Sequence, residues 1–286
     1  MRLLRASAVR HLLAYLAGMV TLFILSAAYG QTARARYTFS VVPVQLPLAT
    51  HKDWSPVVEH LSKRLNADID LRVHRSFADY EAEVTQGIPD FSVMGPYHIV
   101  IGHRRQGYIP LVRSSQMLTG ILVVPRDSPM KTVKDLNGKV LAFPSPNSLA
   151  ASLYIRALLT ERERVKFTPR YLDSHNDVYR HVMLHQVDGG GGIQLTLSQQ
   201  PSDVQAKLRI LYETPPMVPH PLSAHPRVPA TVRAAVTQAI LDLAKTEEGK
   251  TTLARLQISQ PQIADYQRDY RPLEQLHLDK YVVTTQ

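Results

Sequence analysis

Asp90-Phe91-Ser92-Val93-Met94-Gly95-Pro96 decides the fold, because it joins a short apolar run to a glycine-proline turn. The residues that follow, from Tyr97 to about Arg105, have the composition of a helix that begins at this turn. A strand that ends in a tight turn and leads directly into a helix is the repeating unit of α/β proteins. The stretch therefore predicts one such unit, and similar units should flank it.

Strand and helix signals do alternate on both sides of this stretch. Upstream, strands are predicted over 37–42 and 69–73, with one helix opened by Asp53 as its N-cap and another over 76–86. Downstream, strands are predicted over 121–124, 140–143, 167–172 and 208–212, with a glycine-rich strand or loop over 188–193. Helices are predicted over 149–159, 174–186, 230–243 and 249–256. The pattern predicts an α/β fold with mostly parallel sheets.

A proline-rich stretch divides the chain into two lobes. Pro215-Pro216-Met217-Val218-Pro219-His220-Pro221 is too short and too apolar for a disordered linker, so we predict an extended segment that crosses between lobes. A matching crossing is predicted from Gln116 to Gly120. The first lobe would then comprise residues 37–117 plus 217–286, and the second lobe residues 118–216. The two crossings, near 118 and 217, would act as hinges.

The N-terminal residues have the pattern of an export signal. Arg2, Arg5 and Arg10 form a basic start, an apolar run covers 12–28, and small residues follow. We predict a signal peptide over 1–30, with cleavage after Gly30 or, alternatively, after Ala35. Because the uncharged run approaches the length of a membrane span, an uncleaved anchor is the alternative.

Composition and charge limit the function classes. The chain has no cysteine, so it can form neither a disulfide nor a lipid attachment through a cysteine. Without residues 1–30, which hold three arginines and no acidic residue, the balance is 30 basic to 24 acidic residues. These charges are dispersed and do not alternate with aromatic residues, so nucleic-acid binding is not expected. A mildly basic, exported protein suits a small anionic ligand.

Several blocks, in order, resemble the phosphonate-binding proteins of ABC importers, the PhnD-like group of type II periplasmic binding proteins, which also take phosphate and phosphite. The blocks cover roughly residues 37–225. They are Asp53-Trp54-Ser55-Pro56, Asp79-Tyr80, the stretch 90–96, Asp127-Ser128-Pro129, Asp135-Leu136-Asn137-Gly138-Lys139-Val140, Pro144-Ser145-Pro146-Asn147-Ser148, Ser174-His175-Asn176-Asp177 and Val187-Asp188-Gly189.

The resemblance implies a two-lobed receptor that binds an oxyanion between its lobes and delivers it to an ABC permease in the inner membrane. The matching site residues are Tyr80, Gly95, Pro96, Tyr97, Asn147, Ser148, Leu149 and His175. Two departures from the family pattern leave the identity of the ligand open. Family members carry hydroxyl side chains where this chain has Leu149 and Ala150, and an aromatic residue near the first crossing, where it has Gln116-Met117-Leu118.

Elementary chemistry supports the same site. A tetrahedral oxyanion needs several converging N–H and O–H donors, and helix N-termini supply free N–H groups with partial positive charge. Segments 145–150 and 174–177 would present two such termini, with Ser148 and His175 adding side-chain donors. Tyr80 could donate its phenol from the opposite lobe. Plain helix capping is the alternative for Ser148 and Ser174, and a surface helix start is the alternative for His175.

The remaining motifs are weaker indications of function. His181 and His185 have the i, i+4 spacing of a metal pair, but no glutamate follows His181, so an exposed helix face is expected and no metal or cofactor. The run 189–192 lacks the lysine and hydroxyl of a nucleotide loop, which favours a close backbone approach. Asp188 could meet a ligand amine or order this loop. Trp54 could be a cleft wall or a core residue.

Three functions remain open from the sequence alone. A transport receptor is favoured, and we expect it to act as a monomer. A sensor that reports a solute to a membrane kinase is the alternative, favoured if the N-terminal segment is retained. An enzyme is not expected, because the chain offers no Gly-x-Ser-x-Gly elbow, no zinc-protease helix and no cysteine nucleophile.

Overall fold

A computed structural model describes residues 34–283. The predicted signal peptide lies outside the described residues. Within residues 34–283, every helix is too short or too polar to cross a membrane.

The first lobe is built on a six-stranded sheet in the order β11-β4-β10-β3-β1-β2. Its strands are β1 (Arg36–Val41), β2 (Asp68–Arg72), β3 (Phe91–Val93), β4 (Ile109–Arg113), β10 (Pro221–Ala224) and β11 (Gln262–Ile263). Its helices are α1 (Pro47–Leu65), α2 (Phe77–Thr85), α3 (Pro96–Gln106), α8 (Ala230–Leu243) and α9 (Glu247–Arg255). Helices α1 and α8 pack together over a core that contains Phe39, Trp54 and Leu61.

The second lobe is built on a five-stranded sheet in the order β7-β6-β8-β5-β9. Its strands are β5 (Gly120–Pro125), β6 (Lys139–Phe143), β7 (Phe167–Tyr171), β8 (Gly189–Ile193) and β9 (Leu208–Glu213). Helix α4 (Tyr154–Ala157) lies between two π-helical turns, Leu149–Leu153 and Leu158–Arg162, and α5 (His175–Met183) covers the other face. Two short helices, α6 (Gln194–Ser198) and α7 (Ser202–Ala206), follow β8.

The sheets are mixed, so the prediction of mostly parallel sheets is wrong in this detail. Among the described residues, β1 pairs in parallel with β2 and β3, and β6 pairs in parallel with β7 and β8. The other five pairings, made by β10, β11 and β5, are antiparallel. The reason is that β5 and β10 each enter a sheet directly from a crossing segment, without a helix to reverse the chain.

Two chain segments that connect the lobes run side by side. Leu118 and Met217 pair as an isolated antiparallel bridge, and each donates its N–H to the other's carbonyl oxygen at 2.8 Å. The lobe boundaries at 117/118 and 216/217 stay a prediction. The C-terminal turns, Tyr266–Tyr270, Arg271–Leu276 and Leu278–Tyr281, pack beside α3. Tyr281 then reaches the second lobe, where Arg156 Nη2 donates to its carbonyl oxygen at 2.7 Å.

Two helix bounds and two unpredicted strands differ from the predictions for local reasons. Helix α1 begins at Pro47, so Asp53 lies inside it and is not its N-cap; proline suits a first helical turn, where its missing N–H needs no partner. Helix α5 ends at Met183, because His185 adopts a left-handed φ of 56°. Strands β4 and β10 went unpredicted because both contain proline, which weakens a strand signal.

Glycines on β5 and β8 let the turn before α4 lie directly on the second sheet. A Cβ on Gly120 would lie 2.1 Å from the Ala150 carbonyl oxygen, and one on Gly191 would lie 2.1 Å from the Ala151 carbonyl oxygen. No side chain fits at such distances. The run 189–192 is therefore a buried strand whose glycines admit a close backbone approach.

Candidate functional site

A small cavity lies between the two lobes, and residues of both lobes line it. It measures about 340 Å³, counting the space open to solvent. Its lining is mostly apolar, with a serine and three histidines as the polar side chains. The lining residues are Val42, Val44, Phe77, Gly95, Pro96, His98, Leu118, Ser148, Leu149, Ala150, His175, Ile193 and His220.

Two matching helix starts face this cavity from opposite lobes. Helix α2 is capped by Ser76, whose hydroxyl accepts the Asp79 N–H at 3.1 Å, and α5 is capped by Ser174 in the same way. The residues just inside the two caps, Phe77 and His175, both line the cavity. The lobes therefore present one apolar ring and one imidazole from equivalent positions.

His175 is buried, and its ring is held from behind. Its side chain is 2% exposed, and its Nδ1 lies 3.2 Å from the Thr196 hydroxyl, which also contacts Tyr179 and the Ile193 carbonyl oxygen. Burial, and then the repulsion of a nearby charge on His220, lower the pKa of His175 from 6.5 to about 3. The ring is therefore neutral near pH 7.

His98, two residues after the Gly95-Pro96 turn, is the second imidazole. Glu81 Oε1 lies 2.9 Å from its Nε2, while its Nδ1 is buried without a hydrogen-bond partner among residues 34–283. A Cβ on Gly95 would lie 2.6 Å from this Nδ1, so the nitrogen lies on the side of the ring next to the glycine that lines the cavity. A buried nitrogen without a partner costs free energy, which a bound ligand could recover.

His220 is the third imidazole, and it belongs to the proline-rich crossing. It lines the cleft cavity and also a neighbouring cavity that contains Asp53 and Arg255. Burial in the cleft, followed by repulsion from a charge on His98, lowers its pKa to about 4. Among residues 34–283, the cavity thus receives three imidazoles but no lysine, arginine, aspartate or glutamate.

Glu81 connects the lobes beside the cavity. Its Oε2 accepts the Asn147 side-chain amide at 2.9 Å, while its Oε1 faces His98. Burial alone would raise the pKa of Glu81, but the hydrogen bond and charge of His98, together with the Asn147 amide, lower it below its ordinary value. Glu81 is therefore ionised, and the Asn147 amide binds a charged acceptor across the cleft.

The structure brings five of the eight predicted site residues to the cavity. They are Gly95, Pro96, Ser148, Leu149 and His175. Ser148 begins the π-helical turn, and its carbonyl oxygen accepts the N–H groups of Ser152 and Leu153. That these residues bind a ligand stays a prediction.

The side chains of the other three predicted residues bond within the protein and do not line this cavity. The Tyr80 hydroxyl donates to the Val93 carbonyl oxygen at 3.0 Å inside the first lobe, so it cannot reach across the cleft. The Tyr97 hydroxyl donates to Asp279 at 2.6 Å. Asn147 binds Glu81 and the main chain of Val283.

Phe77, His98 and His220 were missed from the sequence. Two signals could have found them. Ser76 to Asp79 repeats the Ser-x-x-Asp pattern of Ser174 to Asp177, which predicts equivalent helix starts. A histidine just after a glycine-proline helix start, and another within the crossing, would each face the cleft if those segments do.

The remaining motifs are structural. Trp54 packs against Phe39 in the core, with ring centroids 5.5 Å apart, and does not line the cleft cavity. His181 Nδ1 lies 2.7 Å from a carbonyl oxygen of its own helix, and His185 lies beyond the helix end. Asp188 accepts the Val140 N–H at 2.8 Å and so orders the start of β6. Residues 34–283 contain no group of three His, Cys, Asp or Glu side chains placed to hold a metal ion.

Solved structures share this architecture at low sequence identity. A binding protein component of an ABC phosphonate transporter from Pseudomonas aeruginosa aligns with a TM-score of 0.77 at 15% identity, over 85% of this chain and 86% of that one. PhnD1 from Prochlorococcus marinus, in complex with methylphosphonate, aligns with a TM-score of 0.76 at 16% identity, over 84% and 96%. A Xanthomonas citri protein bound to chloride ion gives 0.70 at 15% identity, over 86% and 99%. These likenesses confirm the two-lobed type II periplasmic binding protein fold.

A family model shows to which protein family the chain belongs. A search of curated proteins finds no match to this sequence. The model described as "ABC transporter, phosphonate, periplasmic substrate-binding protein" matches residues 39–270, most of the chain, and so confirms the resemblance found in the sequence. The chain therefore belongs to the family of periplasmic substrate-binding proteins of phosphonate ABC transporters.

Proposed function

We propose that this protein captures a small oxyanion, a phosphonate or a close relative such as phosphite or phosphate, in the cleft cavity and delivers it to an ABC permease. One observation carries the proposal. The starts of α3 and α5, on opposite lobes, and the turn at Ser148 meet at one cavity. Helix starts offer free N–H groups and partial positive charge, which suit an anion.

The lining favours an oxyanion that carries a small apolar substituent. Phe77, Leu118 and Leu149 occupy positions where further hydroxyl or charged donors could stand. An apolar substituent that is buried against them gains about 25 cal/mol for each Å² removed from water. A methyl or ethyl group on the phosphorus atom fits this environment better than a fourth oxygen does.

Export and delivery complete the proposal. The basic start and apolar run of residues 1–30 would direct the chain to the periplasm, where cleavage would release it. A monomeric receptor without catalytic activity would then present its ligand-bound, closed form to the permease. N-terminal sequencing of the exported protein tests the cleavage, and a retained N-terminus would favour the membrane-anchored sensor.

Calorimetry on the purified mature protein tests the ligand. Methylphosphonate, phosphite, phosphate and sulfate are titrated at pH 6, and at least one saturable isotherm is expected. Methylphosphonate should bind more tightly than phosphate, because its methyl group would contact the apolar side chains of Phe77, Leu118 and Leu149. A flat response to all four anions contradicts the proposed function. Tighter binding of phosphate contradicts the role proposed for these three side chains.

A further inference from the structure

The described residues that line the cleft cavity include no side chain with a permanent charge. Its ionisable side chains are His98, His175 and His220. An anion that leaves water for such a site loses its hydration and needs hydrogen bonds or counter-charge in return. Of the described side chains that line this cavity, only a protonated imidazole can supply a full positive charge.

The proton on the His98 ring is positioned by Glu81. Because the Glu81 carboxylate can only accept, the ring nitrogen 2.9 Å away, Nε2, must carry a hydrogen. In the neutral ring, Nδ1 is then a bare acceptor, and it becomes a donor only when the ring is doubly protonated. Nδ1 is buried and no described residue bonds to it. An anion oxygen can approach a bare acceptor only if a proton lies between the two atoms.

We propose that the cavity binds its anion together with one proton, which lies between His98 Nδ1 and an oxygen of the anion. The inference rests on the oxyanion-binding function proposed above and adds that a proton balances part of the charge of the bound anion. The proton comes from solvent, or from the ligand's own acidic hydroxyl. The complex then holds either an imidazolium with a dianion or a neutral imidazole with a monoanion.

His98 is the histidine best placed to hold this proton. The titratable groups that face it are Glu81 and Tyr80 on α2 and His220 on the crossing, with His175 of α5 beyond His220. A carboxylate, Glu81, contacts the His98 ring, whereas no carboxylate contacts the other two rings within residues 34–283. Burial, and then repulsion from a neighbouring imidazole, disfavours a charge on His175 and on His220.

The same carboxylate connects ligand binding to the contact between lobes. A charged His98 keeps Glu81 ionised, and an ionised Glu81 is the stronger acceptor for the Asn147 amide of the second lobe. The carboxylate that orients His98 therefore also makes the hydrogen bond that spans the cleft.

Proton counting by calorimetry tests the inference. Each of the four anions above is titrated at pH 9, in two buffers with different ionisation enthalpies, and the affinity is followed from pH 5 to 9. We expect uptake of about one proton per bound dianion, with affinity falling about tenfold per pH unit at the alkaline end. His98→Gln offers an amide N–H that needs no added proton, so it should abolish the uptake and flatten the profile.

His51→Gln is the matched control, because His51 is an exposed histidine on α1 away from the cavity. It should retain the unmodified protein's proton count. Binding without proton uptake, or an uptake that His98→Gln leaves unchanged, overturns this inference but leaves the receptor function intact. Failure of all four anions to bind anywhere between pH 5 and 9 overturns both.

A spectroscopic measurement avoids dependence on a variant that could unfold. In the ¹⁵N-histidine-labelled protein, the assigned His98 ring is expected to carry a hydrogen on Nε2 and none on Nδ1 without ligand. Saturation with the tightest-binding anion should move that Nδ1 resonance toward the protonated position. A Nδ1 signal that saturating ligand leaves in place overturns the inference.

Discussion

Gly191 provides a sharp test of how the second sheet holds the ligand-facing turn. Its backbone lies in β8, directly under the π-helical turn that starts after Ser148. In Gly191→Ala, the added Cβ would lie 2.1 Å from the Ala151 carbonyl oxygen and 2.6 and 2.8 Å from ring atoms of Phe143. Ordinary contact requires these atoms to move apart by more than about 1 Å.

Two opposing effects determine the expected change in the free energy of unfolding. Overpacking a close-packed interior costs about 1–3 kcal/mol, and the upper end applies because the carbonyl belongs to the backbone. Alanine also restricts the unfolded chain, which offsets about 0.4–1 kcal/mol. The net loss in the free energy of unfolding is then about 2 kcal/mol, which lowers the Tm of a domain of this size by about 4–8 °C. Anion binding should weaken as well, because the turn carries Leu149 and Ala150.

Thermal and urea denaturation of the mature protein measure the effect, and Gly189→Ala is the matched control. It lies on the same strand, but its added Cβ would meet its nearest atoms at 3.0, 3.2 and 3.3 Å, so small shifts relieve the contact. We expect the control to change stability by less than about 1 kcal/mol. Equal Tm values for the two variants would falsify the reasoning.

Four further changes have defined outcomes. Asn147→Ala removes the amide that binds Glu81 across the cleft and should weaken anion binding roughly fivefold to tenfold in a titration, since such a bond contributes about 1–1.5 kcal/mol; unchanged affinity contradicts the cross-cleft role. Ser174→Ala removes the α5 cap and should lower the free energy of unfolding by about 1 kcal/mol in urea; no loss means the cap is dispensable. Ser223→Ala removes a buried hydroxyl that has no partner among residues 34–283 and should raise Tm by a few degrees, gaining about 1 kcal/mol; a lower Tm indicates a bound water. Because burial holds the pKa of His175 at about 3 in the folded protein, its imidazole binds a proton at higher pH in the unfolded chain than in the folded one. His175 should therefore contribute about 2 kcal/mol to the fall in the free energy of unfolding from pH 6.5 to 5, and His175→Gln should remove that part while the fall caused by His220 remains.

The sequence predicted the alternation of elements because each signal was local. Residues 90–96 form β3 and begin α3 as expected, and Ser174 caps α5 through the Asp177 N–H. The close approach at the glycine run was also expected and occurs. Each of these features depends on neighbours in the chain, which periodicity and capping chemistry describe well.

Pairing partners and side-chain directions could not be predicted in the same way. Whether β10 runs antiparallel to β3 depends on residues more than a hundred positions apart. Tyr80 points into the first lobe because the Val93 carbonyl oxygen and the Ser92 hydroxyl are there to bind its phenol. His220 faces the cavity only because the crossing pairs with Leu118. Such placements depend on tertiary contacts that a residue pattern does not encode.

The two connections between the lobes differ in stiffness. Prolines at 215, 216, 219 and 221 surround Met217 and His220, and each proline ring fixes φ near −65°. The other connection, 114–119, contains no proline, so its torsion angles are freer to rotate. Any change in the angle between the two sheets must therefore be absorbed mainly on the Ser114 side. One connection between the lobes is therefore rigid and the other is flexible. The rigid connection carries His220, one of the imidazoles of the cavity.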